Sequence, residues 1–189
     1  MTRIFDTLRQ TRASTWAATL LIAGSASLVE GAASRQTDIG VRAIGMGGAY
    51  SAVGADASAI RWNPAAIATL QRQEILGTYT DRYGLGLNES YMGYVLPITD
   101  AHAVGLDWFH RGFDDVSGGL GLNSGHNLMS VAYGYRNGIA ALKPYIGNTA
   151  IGGTLKYITQ DADLDGRSVM SASGLGFDLG LLAPLPRGF

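Results

Sequence analysis

Residues Gly40 to Leu70, GVRAIGMGGAYSAVGADASAIRWNPAAIATL, form the stretch around which the rest of the chain is expected to arrange itself. It is rich in Gly, Ala and Ser, carries a single acid, Asp56, and ends in Trp62-Asn63-Pro64-Ala65. Small side chains let backbones approach closely, proline interrupts a continuous ladder or helix at its own position, and the residue before proline is pushed towards extended backbone. The expectation for this stretch is a compact, packed, irregular element rather than a strand.

From Gln73 onward the hydrophobic period is two, the signal for half-buried strands. Glu89 to Leu96 puts Met92, Tyr94 and Leu96 on one face and Tyr91 and Gly93 on the other. His102 to His110 sends Val104, Leu106 and Trp108 one way and Ala103, Gly105, Asp107 and Phe109 the other. His126 to Arg136 separates Met129, Val131, Tyr133 and Tyr135 from Ser130, Gly134 and Arg136. Pro144 to Thr159 repeats the arrangement, and the clearest case sets Leu175, Phe177, Leu179 and Leu181 against Gly174, Gly176, Asp178 and Gly180. A weaker first strand runs from Gln73 to Thr80.

Six such strands, apolar and aromatic on one face and small or charged on the other, suit an antiparallel transmembrane β-barrel, whose outside meets lipid and whose inside meets water or a plug. A soluble sandwich alternates in the same way, so alternation alone does not decide. Several strands have the length needed to cross a bilayer at a tilt, longer than is usual in soluble sheets. Aromatics gather near strand ends (Tyr133, Tyr135, Tyr145, Tyr157), where an interfacial girdle would lie. The connections alternate in length: tight at Pro97 to Ala101, long at Gly112 to Gly125, moderate at Asn137 to Lys143, polar at Gln160 to Ser168. Asp107, Arg136, Lys156 and Asp178 fall on the small-residue face, and charges at membrane depth are tolerated when they point inward. The glycines beside them leave space for the N-terminal segment or for a ligand path.

The leading residues are of a different kind. Arg3, Arg9 and Arg12 precede an apolar run from Trp16 to Val29, and Gly31-Ala32-Ala33 offers a small-residue cleavage site, so residues 1–33 read as a secretory signal peptide. That run is too short to span a bilayer as a helix, and no other stretch approaches the required length of about 18 residues. Removal of the leader would leave a net charge of −2, with no basic patch for nucleic acid. The chain has no cysteine, which excludes disulfides and thiolate chemistry.

Taken together, G-x-R-A-x-G-M-G-G-A-Y, D-A-S-A and W-N-P-A resemble the N-terminal signature of FadL-type outer-membrane transporters and their PorV-type relatives. The match is close over about thirty residues and rests elsewhere on the strand pattern, with Phe177-Asp178-Leu179-Gly180 resembling a further strand of that family. The resemblance implies that residues 34–72 are a hatch at the periplasmic end of a barrel in the bacterial outer membrane, formed by residues 73–189. It also implies a hatch motif of Gly45, Gly47, Gly48, Asp56, Trp62, Asn63 and Pro64. The family's paired acid is here Ala55-Asp56, so a role that needs two carboxylates finds only one. Members of the family are longer and single-chain barrels begin at eight strands, so the chain reads as the N-terminal part of such a protein.

Other chemistry finds little support. Gly45-Met46-Gly47-Gly48 lacks the third glycine of a dinucleotide loop, and no phosphate-binding or G-x-S-x-G motif is present. His102, His110 and His126 have no metal-ligand spacing. Asp161, Asp163 and Asp165 followed by Gly166 open like a calcium loop, but the twelfth position is Ala172, so a solvated hairpin turn is the better reading. No cofactor and no enzymatic constellation is expected. Two functions remain open: a transporter of hydrophobic small molecules such as fatty acids or aromatic hydrocarbons, and a component that serves protein secretion or assembly. The corresponding partners are outer-membrane lipid with a hydrophobic ligand, or secretion-system proteins.

Overall fold

The computed structural model describes residues 39–54, 56–82, 86–115, 121–137 and 148–183. The expected signal peptide, the final Pro184 to Phe189, Tyr145 and most of the Asn137 to Lys143 link lie outside them. The described residues belong to one unit, Gln36–Phe189.

Among the described residues six antiparallel strands form one sheet in chain order: β1 (Glu74–Arg82), β2 (Leu87–Pro97), β3 (His102–Asp115), β4 (Leu122–Arg136), β5 (Ala150–Leu164) and β6 (Arg167–Leu182). The described residues are all-β apart from short helical turns, as the period-two pattern requires. Among the described residues the sheet is not closed: β1 and β6 are its edges.

The strands outrun the sequence expectation at their polar ends. Gln160 to Ser168, expected as a link, is strand except for Asp165-Gly166, and the Gly112 to Gly125 loop gives up both its ends to β3 and β4. Polar residues extend the ladder here because neighbouring strands satisfy their backbone groups, which a hydrophobicity pattern does not register. β5 begins at Ala150, and Pro144 to Gly147 of the expected strand lie outside the described residues.

Turn chemistry sets the hairpins. Asp165 and Gly166 both have positive φ (50° and 72°), the backbone of a two-residue turn matched to strand twist. Between β2 and β3, the Thr99 hydroxyl accepts hydrogen bonds from the backbone N–H groups of Ala101 (3.2 Å) and His102 (3.1 Å).

Residues 39–70 cover one face of the sheet. Ala57, Ala59, Ile60, Ala66 and Ile67 pack with Val95, Ala103 and Ala132, and Ile39 packs with Tyr91, Phe109 and Leu128. The opposite face is bare and apolar. Across the strands run the rows His102/Tyr135/Ile151/Leu181, Leu96/Val104/Tyr133/Gly153/Leu179, Tyr94/Leu106/Val131/Leu155/Phe177 and Met92/Trp108/Met129/Tyr157/Leu175. Exposure reaches 75% at Phe177 and 82% at Leu179. The next row, Ser90/His110/Asn127/Thr159/Ser173, is polar.

Candidate functional site: the seat of the N-terminal segment

The segment is built from short turns. Gly40, with φ of 90°, leads into the helix Val41–Gly45. Gly47 and Gly48 (φ 64° and 82°) end that helix, with Gly48 N–H donating to the Ala43 carbonyl at 2.9 Å. The chain then reaches the fully buried Tyr50, whose ring meets Trp62 edge-on at 6.2 Å and whose hydroxyl donates to Asp56 Oδ2 at 2.7 Å. Asp56 Oδ1 accepts from the N–H of Ser58 at 3.0 Å and from its hydroxyl, and Arg42 approaches Asp56 at 3.7 Å. Trp62 Nε1 donates to the Ile39 carbonyl at 2.9 Å, tying the segment's start to its end. A single carboxylate therefore organises this loop from within.

The segment's second half is seated on the sheet. Asn63 is extended (φ −162°, ψ 102°), as a residue before proline should be, and Pro64 opens the 3₁₀ helix Pro64–Thr69, where its missing N–H costs no bond. The Asn63 amide donates to the Ser51 carbonyl at 2.9 Å and to the Leu181 carbonyl at 3.1 Å, while its Oδ1 accepts from Ala65 N–H at 3.1 Å. One side chain thus joins both halves of the segment to β6. Two further bonds reach the sheet: the Tyr91 hydroxyl donates to the Ala57 carbonyl at 3.0 Å, and that of Thr154 to the Ile60 carbonyl at 3.5 Å.

Glycine makes this approach possible. Gly134, Gly152 and Gly180 are direct lateral neighbours on β4, β5 and β6. A Cβ at Gly134 would lie 2.7 Å from Ile67 Cγ1; at Gly152 it would strike the Pro64 backbone, and at Gly180 the Asn63 side chain. Gly105 is equally tight, 2.8 Å from Ile60 Cγ1. The space left by the glycines is filled by the segment itself.

The residues singled out from sequence fall into separate groups. Gly48, Asp56, Trp62, Asn63 and Pro64 come together in the segment, with Gly45 and Gly47 beside open space. Asp107 is buried on the covered face, and Lys156 pairs with Asp178 next to it. Arg136 lies apart, its guanidinium donating to the Asp100 carbonyl at 2.7 Å in the β2–β3 turn.

Sequence reading passed over Arg61 and an ion cluster in which the buried Glu89 receives the partly exposed Arg82 at 3.0 Å and Arg111 at 2.6 Å. Glu89 and Arg111 are cross-strand partners, a pairing visible only once the register is known. Among the described residues no three acidic, histidine or cysteine groups gather to hold a metal. The Asp165 carboxylate is occupied by the Gly121 N–H at 2.9 Å and that of Asp161 by the Ser171 hydroxyl at 2.9 Å.

Comparison with protein-family models, with curated proteins and with solved structures gives no match.

Proposed function

We propose that the sheet is the wall of a bacterial outer-membrane β-barrel, that residues 39–70 are its plug, and that the protein carries hydrophobic small molecules such as fatty acids or aromatic hydrocarbons across the membrane. One observation carries the reading: four successive apolar rows cross the strands on the bare face, while small and charged residues lie beneath the segment on the other. From first row to last they extend about 20 Å along the strands, and more with their side chains, comparable to the apolar band of roughly 25 Å on such barrels. A water-facing sheet would not hold large apolar side chains such as Leu175, Phe177 and Leu179 largely exposed in one block.

The test has two stages. Native protein from an outer-membrane extract should migrate differently with and without boiling; protein found only in the soluble fraction, with no shift, would remove the membrane reading. Uptake of a labelled fatty acid should then fall on deletion of the gene, and unchanged uptake would count against transport. A second reading, a non-enzymatic component for protein secretion or assembly, is favoured by how firmly Asn63 and the glycine row hold the segment in place. Unchanged uptake together with co-purification of secretion proteins would select it.

A further inference from the structure

Midway along the covered face a polar row runs between two apolar ones. Asp107, Ser130 and Lys156 are lateral neighbours on β3, β4 and β5. On one side lie Val95, Gly105 and Ala132 beneath Ile60; on the other lie Tyr91, Phe109 and Leu128. Lys156 is satisfied by Asp178. Asp107 is not satisfied: it is 6% exposed, and neither carboxylate oxygen has a hydrogen-bond partner in the protein. The Ser130 hydroxyl is near enough to influence it but lies outside hydrogen-bond geometry.

The segment presents the matching deficit. Arg61, at the end of its second helix, has a buried Nη1 without a partner, and its guanidinium rests over the Phe109 ring at 5.4 Å. Arg61 is the cation whose field acts most strongly on Asp107, ahead of Lys156. A buried carboxylate and a buried guanidinium N–H are each costly when unpaired, and each is the partner the other lacks.

We propose that Arg61 and Asp107 form an electrostatic latch that holds the middle of the plug on the wall, separate from the Asn63–Pro64 anchor. The guanidinium has two stations, one over the Phe109 ring and one on the Asp107 carboxylate. The first leaves the charges attracting across a gap, and the second closes the latch. The proposal rests on the reading of residues 39–70 as a plug and names where that plug is held or freed.

The absence of cysteine makes the test clean, because single engineered thiols report local uncovering. Ala132→Cys lies in the cluster with Ile60 and Ile67, and Ala150→Cys lies by the anchor with Ala65 and Ala68. In membrane-embedded protein, labelling of Ala132→Cys by a water-soluble maleimide should accelerate roughly tenfold with Asp107→Asn or Arg61→Met, and no further in the double variant. Arg61→Lys, which keeps the charge but loses the planar guanidinium that rests over Phe109, should fall between the parent and Arg61→Met. Labelling of Ala150→Cys should not change.

Unchanged labelling of Ala132→Cys, additive effects, or acceleration at both reporters would each overturn the latch, the last because it signals general loss of structure. The boiling shift of the same samples separates the two ideas. A parent that shifts while its labelling ignores Asp107 and Arg61 loses only the latch, whereas a parent that never shifts loses the barrel.

Discussion

A single methyl group is enough to disturb the seat of the N-terminal segment. Gly134→Ala would set a Cβ 2.7 Å from Ile67 and 3.0 Å from the Ala68 backbone nitrogen, and Gly152→Ala would meet the backbone of Pro64. Such overpacking costs about 1–3 kcal/mol, so both variants should lower the thermal midpoint of the purified protein. Gly125→Ala and Gly174→Ala, where nothing lies within 4 Å, should leave it nearly unchanged. Asn63 concentrates more at one position, since its amide holds two carbonyls from different parts of the chain. Asn63→Ala should destabilise by about 1–3 kcal/mol in the same melt. Ser51→Ala keeps the Ser51 carbonyl that Asn63 uses and should cost much less; equal effects would remove the anchoring role. Asn63-Pro64 was legible from sequence because proline constrains its neighbour locally. The glycine row was not, because its members lie on three strands and become neighbours only through the register.

At the scale of elements, the hairpins are governed by backbone conformation and by how their tips meet. Asp165 donates its N–H to the Gly121 carbonyl (2.9 Å) and accepts from Gly121 N–H through its side chain, so the β5–β6 turn is bonded to the β3–β4 connection. Gly166→Val places a β-branched residue at φ 72° and should cost about 1–3 kcal/mol in thermal unfolding. Calcium and a chelator should give the same melting curve, since the Asp161 and Asp165 carboxylates already accept from the Ser171 hydroxyl and the Gly121 N–H. A shift with calcium would restore the ion-binding reading. Along the strands, Glu89 is buried between two half-exposed arginines, and Glu89→Ala should cost about 2 kcal/mol. A double-mutant cycle with Arg111→Ala should show that most of this is coupling.

For the whole molecule, the contrast between the two faces governs what surrounds the sheet. If the bare face meets lipid, Val131→Arg, in the middle of the apolar rows, should cost about 2–4 kcal/mol of stability in bilayers. Thr159→Arg, in the polar row beyond them, should cost under about 1 kcal/mol. Unfolding both variants from phospholipid vesicles checks the difference, and equal tolerance would argue that this face meets water.

Sequence alone determined which residues share a face, because alternation along a strand is a local property: Leu106 and Trp108 point away from Asp107 and Phe109 whatever the neighbouring strands do. It likewise determined the character of residues 39–70, since Gly, Ala and Pro act through their own backbone. Only the tertiary structure decided the rest. Register brought Gly134, Gly152 and Gly180 into one row and placed Glu89 opposite Arg111. The fold of the segment carried Arg61 over Phe109, towards a buried carboxylate more than forty positions away in the chain. These are contacts between distant residues, set by the packing of one element on another, and no local pattern encodes them.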